Sequence, residues 1–350
     1  MRRLHARLRA HPLGVRILEA ASIVYSAGAG ISRYLWTHGF FRPVKLPAAV
    51  ISVGNLMVGG TGKTTMTAYL AQRLLDQGKD VCVLSRGYKG GDEAVMLAAR
   101  FAAYRGRFAV LTGPDRMRSA RTRLAAIGPK PVFLLDDGHQ HWPIRKDFSI
   151  VMFNALEPQD SYHELPYGFL REPLESGLRR SDAVVIMGAD LADEASLRRL
   201  KGAVAAAAGR APVFEATYAS CGVWDIQGSR PLSTDSLKEQ GVALLSAIGN
   251  PSAFERTVEV RLGAKVLKHF IFEDHELLER QRLEDIARWC RENSCATVLT
   301  TQKDAARMLA GWGEVLRGIV LAYMSVDVRF LSREREFWDL LMRRLASYET

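Results

Sequence analysis

The sequence contains little cysteine, and none of it forms a metal or disulfide motif. The cysteines are Cys82, Cys221, Cys290 and Cys295, and no two of them form a CxxC pair. Apolar or helical sequence surrounds them, which is typical of inert thiols. We therefore expect neither a zinc site nor disulfides, and a reducing cytosol as the compartment.

Internal repeats and low-complexity segments are also missing. Hydrophobic residues make up 48% of the chain and charged residues 25%, an ordinary globular composition that excludes a disordered protein. A chain of 350 residues is too long for one modest core. Its length suits two α/β domains of ordinary size.

Acidic residues are almost absent from residues 1–45. Eight arginines and lysines stand there against Glu19 alone, so this segment carries +7 of the net charge of +10. The rest of the chain carries only +3, which argues against a basic face for duplex DNA, and we expect no nucleic-acid partner. The charge distribution indicates instead that the N-terminus meets an anionic surface.

No apolar run is long enough to cross a membrane. The longest candidate, Ile17 to Ser32, has sixteen residues and is interrupted by Glu19, whereas about 20 apolar residues are needed for a span. Its basic flank and the aromatic residues that follow it suit a helix lying in the membrane interface. A first helix packed on the protein's own core is the alternative.

The remaining sequence alternates strand and helix patterns. Residues 48–53 are small, branched and apolar, residues 64–77 have a helical pattern, and residues 80–84 form the next strand. A strand, a glycine loop, a helix and a strand open a parallel α/β fold. Further strands are predicted at 108–111, 132–135, 149–153, 183–187, 213–218, 242–248, 266–272, 297–300 and 319–323, and further helices at 194–208, 283–292 and 334–347.

These patterns predict a P-loop NTPase-like parallel sheet domain with a second, smaller α/β domain and an N-terminal membrane-interface helix. The predicted segments are the interface helix at 1–45, the P-loop domain at 46–218, the second domain at 219–330 and a C-terminal helix at 331–350.

A phosphate-binding loop follows the first strand. It consists of Gly59, Gly60, Thr61, Gly62, Lys63 and Thr64. Glycines let backbone N–H groups turn toward phosphate oxygens, Lys63 neutralises the β- and γ-phosphates, and the Thr64 hydroxyl can ligate Mg²⁺. Met57 replaces the first glycine of the usual motif, and Val58 replaces the extra lysine of ParA/MinD-type ATPases, which disfavours that family. The loop predicts an enzyme that uses ATP and Mg²⁺.

A second nucleotide-site motif lies at the end of the strand predicted at 132–135. Four apolar residues run into Asp136 and Asp137. Apolar residues that end in a carboxylate facing the metal have the form of a Walker B strand. Paired acids also serve as caps and turn residues, but the upstream phosphate loop favours metal binding.

Nine short motifs span residues 52–304. They are SVGNL (52–56), LSRGY (84–88), GDE (91–93), GPDR (113–116), LDDGHQH (135–141), LPYGFLREP (165–173), IGNP (248–251), FEDH (272–275) and TTQKD (300–304). In this order they resemble the tetraacyldisaccharide 4'-kinase family, the lipid A disaccharide kinases of Gram-negative bacteria. The resemblance implies transfer of the ATP γ-phosphate to the 4'-hydroxyl of an acylated glucosamine disaccharide 1-phosphate. The product would be lipid IVA, made at the cytoplasmic face of the inner membrane by a peripheral enzyme.

The resemblance also implies roles for individual residues. The general base would be Asp92 with His275 as its partner, while Lys63 acts on the phosphates. Candidate Mg²⁺ ligands are Thr64, Asp136, Asp137 and Glu172. Candidate acceptor and phosphate contacts are Asn55, Arg86, Tyr88, Arg116, Gln140, His141 and Arg171. Structural roles stay open as well: surface ion pairing for Arg86 and Arg116, packing for Tyr88, His141 and His275, and helix capping for Asp92.

The connection between Tyr88 and Asp92 departs from the family pattern, because three residues stand where a longer stretch is usual. Two other functions compete with the lipid kinase. One is a soluble P-loop kinase or ligase that acts on a small metabolite. The other is a regulatory ATPase that binds a partner at the membrane.

Overall fold

The computed structural model describes residues 5, 8–87, 91–126, 130–157, 162–226, 230–238, 241–273, 280–307 and 312–348, with backbone alone at 92, 236, 313 and 314. Within these residues the chain forms one twelve-stranded sheet. Its strands are β1 Val50–Asn55, β2 Val81–Ser85, β3 Phe108–Thr112, β4 Val132–Asp136, β5 Phe148–Asn154, β6 Ala183–Met187, β7 Val213–Asp225, β8 Pro231–Leu232, β9 Gly241–Ser246, β10 Lys265–Ile271, β11 Thr297–Thr301 and β12 Val320–Phe330.

Helices connect the strands. They are α1 Pro12–Thr37, α2 Lys63–Asp76, α3 Asp92–Arg100, α4 Arg116–Ala125, α5 Leu174–Leu178, α6 Glu194–Ala208, α7 Asp235–Lys238, α8 Pro251–Leu262, α9 Arg280–Glu292, α10 Gln302–Ala305, α11 Trp312–Val315 and α12 Glu334–Leu345. Local sequence marks several starts. The side chains of Asp115, Asp193 and Asn250 accept backbone N–H bonds at the starts of α4, α6 and α8, as N-cap residues do.

The strand order is β10-β9-β11-β12-β7-β6-β5-β1-β4-β2-β3, with β8 beside β7. All neighbours are parallel except β12 with β7 and β7 with β8. Helical crossovers bury both faces of a parallel sheet, which explains why β1, β2, β4 and β6 are buried at every position. This architecture confirms the predicted α/β class with a P-loop-type parallel sheet.

The two antiparallel strands β7 and β12 are longer than the sequence predicts. The sequence predicts ends at 218 and 323, but the strands pair from Ala216 opposite Phe330 to Asp225 opposite Ala322, with one register shift between Ser325 and Val326. Several of their residues are only half-buried, so the apolar runs stop before the strands do. This pair joins the sheet that follows β1 to the strands β9, β10 and β11. The division into domains stays a prediction.

The last helix, α12, returns to the first half of the sheet. Its residues Phe337, Leu341 and Leu345 are buried in the same apolar core as Phe148 and Phe214. The ring of Phe337 lies edge-on to those of Phe148 and Phe214, with centroids 6.4 and 5.4 Å apart. The predicted C-terminal helix is therefore part of the core beneath the phosphate loop.

The first helix, α1, is largely exposed. Of its 26 residues only Gly14 and Leu18 are buried. Its large apolar side chains instead face outward, among them Leu13, Ile17, Val24 and Ile31, which are 54–73% exposed. The alternative of a helix packed into the protein's own core is therefore wrong for most of α1. In the described part of the chain no helix is long and apolar enough to cross a membrane.

Candidate active site

The predicted phosphate loop joins β1 to α2. Gly59 and Gly62 have φ angles of 142° and 84°, in the region that favours glycine. Gly62 is the N-cap of α2, so backbone N–H groups collect at a helix start, which is a ready anion site. Met57 forms an antiparallel bridge with Leu170 instead. Position 57 is therefore part of an extended segment, which explains why methionine can replace the usual glycine there.

Two buried asparagines hold the loop. The Asn55 Nδ2 donates to Thr61 Oγ1 at 2.9 Å, and the Asn154 Nδ2 donates to the Gly60 carbonyl at 3.2 Å. Asn55 is fully buried. Its position favours a role in supporting the phosphate loop over the predicted contact with an acceptor.

Close packing explains why glycine stands at positions 60 and 62 of the loop. A Cβ on Gly62 would lie 2.8 Å from the Tyr218 hydroxyl, and one on Gly60 would lie 3.1 Å from the backbone nitrogen of Asn250. Contacts this short, with a tyrosine hydroxyl in one case and with backbone in the other, are rarely tolerated in a packed interior. The loop therefore packs against β7 and against the loop that follows β9, with no room for side chains on that side.

The predicted acidic pair lies beside the phosphate loop. Parallel pairing places Val53 of β1 opposite Asp136 of β4, and the carboxyl ends of parallel strands share one edge. Asp136 is 3% exposed. Burial, reinforced by Glu93 and only partly offset by Lys63, raises the pKa of Asp136 to about 7.

Lys63 faces this pair. Its Nζ lies 3.8 Å from Asp137 Oδ1. Burial lowers the pKa of Lys63, although Asp137 opposes that change. Because a cation in a desolvated position binds anions more strongly than one in water, this arrangement suits a phosphate.

Asp137 is surrounded by cations. Its φ of 48° turns the backbone sharply after β4, so its carbonyl accepts from Arg116 Nη1 at 3.1 Å while its carboxylate accepts from Arg171 Nη1 at 3.0 Å. Lys63 and Arg171 outweigh burial and hold the pKa of Asp137 below its usual value. Asp137 is therefore ionised at neutral pH.

Thr64 contacts Glu93, a residue of the GDE motif to which the sequence assigns no role of its own. Its hydroxyl hydrogen-bonds the carboxylate of Glu93, and Lys303 Nζ lies 3.2 Å from Glu93 Oε1. Burial opposes ionisation of Glu93, but the two lysines and the hydroxyl outweigh it and lower the pKa. Because the Thr64 hydroxyl donates to Glu93, its lone pairs remain available to a metal.

Glu172 lies in a second network. It is 4% exposed, and its carboxylate accepts from Arg180 Nη2 at 2.8–2.9 Å and from Gln140 Nε2 at 3.0 Å. Arg33 of α1 lies 3.7 Å away. These partners favour a role for Glu172 in positioning Gln140 over direct metal ligation.

The side chain of Gln140 connects the two networks. Its Oε1 accepts from Arg171 at 3.3 Å, and its Nε2 also donates to the Asn55 carbonyl at 3.1 Å. The predicted residues Asn55, Gln140, Arg171 and Glu172 are thus brought together. The sequence does not indicate Arg180 or Arg33, because a lone arginine in a turn or a helix carries no local signal of such a contact.

His141 and Arg86 lie on the Arg116 side of the site. His141 Nε2 is buried and has no hydrogen-bond partner among the described residues. Burial, with help from Arg116, lowers the pKa of His141 to about 4, so the ring is neutral. Arg86 is exposed and close enough to Arg116 to depress its pKa, after the larger effect of burial.

Part of the predicted site lies outside the described residues. Tyr88, His275 and the side chain of Asp92 belong to this part. The backbone of Asp92 begins α3, and Gly91 is the N-cap. The N-cap position is thus held by the residue before Asp92, and the role of the Asp92 side chain stays a prediction.

The described residues fit a Mg²⁺ site. The hydrogen bonds from Thr67 and from the Asp137 backbone both reach Oδ1 of Asp136, so its second oxygen is available as a ligand. In the described ranges no cluster of three or more His, Cys, Asp or Glu side chains could hold a metal by itself. Mg²⁺ in kinases takes one or two carboxylates and completes its shell with phosphates and water, which matches this donor set.

Comparison with known proteins decides the family. The profile of the tetraacyldisaccharide-1-P 4'-kinase family matches residues 15–346. The chain belongs to this family. It is 36% identical over 326 residues to the tetraacyldisaccharide 4'-kinase of Anaeromyxobacter dehalogenans, covering 86% of this chain and 84% of that protein. It is 32% identical over 358 residues to that of Syntrophus aciditrophicus, covering 94% and 92%.

A solved relative agrees. The structure of the family member from Aquifex aeolicus, crystallised with ATP, has a TM-score of 0.67 and 27% identity and covers 95% of this chain and 99% of its own. The family assignment confirms an ATP-dependent kinase with a P-loop fold. The roles given to individual residues remain predictions.

We predict that Lys63→Ala removes nearly all kinase activity, by at least about 100-fold, because Lys63 acts on charge that grows during phosphoryl transfer. Thermal unfolding should change little. Steady-state kinetics at saturating Mg-ATP measure the loss, and Lys130→Ala, an exposed lysine, is the control. Near-normal turnover of Lys63→Ala would mean that residues 59–64 are not the nucleotide site.

Proposed function

We propose that this kinase transfers the ATP γ-phosphate to the 4'-hydroxyl of a tetraacylated glucosamine disaccharide 1-phosphate and so forms lipid IVA. The observation that carries the proposal is the pairing of Lys63 with Asp137, next to Asp136 at the end of the adjoining strand, in a chain matched to the family over residues 15–346. Membership of the family supports the acceptor, and the site supports the chemistry.

The phosphate loop and the acidic pair would act on the ATP phosphates. The backbone N–H groups of residues 59–64 would bind the β- and γ-phosphates, and Lys63 would neutralise charge that develops on the transferred group. Thr64 and Asp136 would hold Mg²⁺ directly, with Asp137 beside them. Mg²⁺ held by these residues would supply positive charge to offset that of the phosphates. Glu172, whose carboxylate is bound by Arg180 and Gln140, would act at a greater distance.

The acceptor side is rich in cations and neutral donors. Arg116 and Arg171 flank Asp137 at 3.0–3.1 Å, and the free Nε2 of His141 lies near Arg116. Together with Arg86, Tyr88 and Gln140 they would orient the sugar and its phosphate. Arginine suits this task because its planar guanidinium group can form bidentate hydrogen bonds with a phosphate.

Proton removal would use Asp92 with His275. A carboxylate within hydrogen-bond reach of a hydroxyl takes its proton as the new bond forms, and a neighbouring histidine orients it. The start of α3 at Asp92 brings the backbone of this residue next to Glu93, which contacts Thr64. This proximity to the phosphate loop supports the assignment.

Attachment to the inner membrane would use α1. Leu13, Ile17, Val24 and Ile31 recur at spacings of four and seven residues, so they share one exposed face. The other face carries Ser22, which donates to the Glu164 carbonyl at 3.0 Å. Such a helix would lie in the headgroup region with its apolar face in lipid, held at the cytoplasmic leaflet by the +7 segment.

Product analysis tests the function. The purified chain is given Mg-ATP alone, with detergent-dispersed tetraacyldisaccharide 1-phosphate, or with a pool of polar metabolites. Mass spectrometry should find one added phosphate on the disaccharide only. Phosphorylation of a polar metabolite would support a soluble kinase, and ATP hydrolysis that ignores both acceptors would support a regulatory ATPase.

For the general base we predict that Asp92→Ala lowers kcat by roughly 10²–10⁴-fold, with little change in ATP affinity. His275→Ala should cost less, and the double variant should be only slightly worse than Asp92→Ala, because residues that act as a unit are not additive. Asp92→Asn, which keeps the size of the side chain, should match Asp92→Ala. Retention of more than about a tenth of wild-type kcat, outside that range, would transfer the role to Glu93 as the next candidate.

For the membrane we predict that Val24→Glu/Ile31→Glu weakens binding to anionic phospholipid vesicles by roughly 10- to 100-fold, since each buried aliphatic side chain contributes about 1.5 kcal/mol or more. Vesicle flotation at low salt measures the effect. Val260→Glu, at an exposed valine of α8 that is 41% accessible, adds a charge elsewhere and should bind normally. Deleting residues 1–40 should also raise the soluble fraction, but it removes Arg33 too. Equal binding by all variants would exclude the interface helix.

A further inference from the structure

In two of the sequence motifs, IGNP at 248–251 and TTQKD at 300–304, Lys303 beside Glu93 is the one residue given a place in the site described above. The structure places them at the ends of the neighbouring parallel strands β9 and β11. The loop of residues 247–250, which we call the β9 loop, follows β9 and leads into α8. It packs against the phosphate loop.

The contact between the two loops is backbone on backbone. A Cβ placed on Gly249 would lie 2.5 Å from the nitrogen of Gly60 and 3.0 Å from the carbonyl carbon of Gly59. No real Cβ atom stands that close to a backbone atom, so any side chain at 249 would push the two loops apart. The position of the β9 loop therefore limits the position of Gly59 and Gly60.

Asp304 holds the first residue of the β9 loop. Its Oδ2 accepts from the Ala247 backbone nitrogen at 3.1 Å and from the Thr301 hydroxyl at 2.8 Å. Its other oxygen is bound by Arg307, which also donates to the Ala247 carbonyl at 3.0 Å. Both backbone groups of Ala247 are thus held by one buried ion pair, since Asp304 is 4% exposed.

A chain of side chains fixes the preceding residue. Ser246 Oγ and His269 Nε2 lie 2.8 Å apart, as do His269 Nδ1 and Glu255 Oε2. The carboxylate can only accept, so Nδ1 donates to Glu255 and Nε2 accepts from the serine. Ser246 is fully buried and inaccessible to a substrate. This arrangement therefore serves to hold β9, β10 and α8 together at the base of the β9 loop.

We infer that Asp304, paired with Arg307, is a positioning residue for the nucleotide site. It acts through Ala247 and Gly249, and it sets the phosphate loop in the form that binds ATP. The inference rests on the proposed assignment of residues 59–64 to the nucleotide. Because Asp304 is 4% exposed, it would act through Ala247 and Gly249 without touching ATP or the acceptor.

Two substitutions test the two ends of the connection that runs from Asp304 through the β9 loop to Gly60. Asp304→Asn removes the charge that binds Arg307, and Gly249→Ala forces the β9 loop away from Gly60. Each should raise the Kd for Mg-ATP and the KM for Mg-ATP by roughly 10-fold, the size expected for losing one charge-assisted hydrogen bond. The KM for the acylated acceptor should stay within about twofold. The double variant should be little worse than either single one, because both act through one loop.

Matched controls separate positioning from general damage. Asp285→Asn breaks an Asp–Arg pair of the same i,i+3 spacing on α9, where Asp285 and Arg288 lie 3.1 Å apart. Gly202→Ala adds a Cβ where no atom lies within 4 Å. Neither should alter the Kd. Circular dichroism and the melting temperature establish that each variant is folded.

Equilibrium binding of ATP, read without turnover, decides the outcome. If Gly249→Ala is folded and binds Mg-ATP as the wild type does, the inference fails. It also fails if Asp304→Asn lowers only the melting temperature and the active fraction, which is what a purely structural role would do. Lys63→Ala is assayed alongside for turnover. Near-normal turnover by Lys63→Ala would overturn the proposed nucleotide site itself, whereas lost turnover there with normal ATP binding by Gly249→Ala overturns only the role of Asp304.

Discussion

The parallel pairing of β1 with β4 determines where the charged groups of the site meet. Because Val53 lies opposite Asp136, the phosphate loop after one strand and the acidic pair after the other leave the sheet at the same edge. Lys63 and Asp137 are then brought to 3.8 Å without any long-range contact of their own. A later segment of the chain brings a further cation to this edge. Residues 169–170 pair with the start of the phosphate loop, and this pairing delivers Arg171 to Asp137.

Charge compensation explains how such a site is stable without ATP. Lys63, Arg116 and Arg171 surround Asp137, so its carboxylate offsets part of the positive charge that would bind phosphate. The Lys63 to Asp137 separation exceeds that of a strong charge-assisted hydrogen bond, about 2.8 Å. Lys63 can therefore turn to a phosphate at low cost. The shorter Arg171 contact would hold Asp137 in place as it does so.

Local patterns predicted most of the fold and the centre of the site. Strands buried on both faces, such as β1 and β6, have unbroken apolar sequence, and the phosphate loop is contiguous. The patterns failed where neighbours decide the structure. The strand β7 continues through Ser220 because it pairs with β12, and Glu172 meets Arg180 and Arg33 only through the fold. The contact of Gly249 with Gly60 has no local signal either, although both residues lie in recognised motifs.

The helix α1 connects the proposed membrane face to the charged site. While one face exposes Val24 and Ile31, the other reaches residues 164–172 through Tyr25, whose hydroxyl donates to the Arg171 carbonyl at 3.2 Å, and through Arg33 beside Glu172. If lipid holds the exposed face, the segment that supplies Arg171 and Glu172 lies directly beneath the headgroups. The sugar part of an acylated disaccharide would then reach Arg171 while its acyl chains stay in the bilayer. The diameter of α1, about 10–12 Å with its side chains, would keep that separation constant, so the same element would provide both attachment and distance.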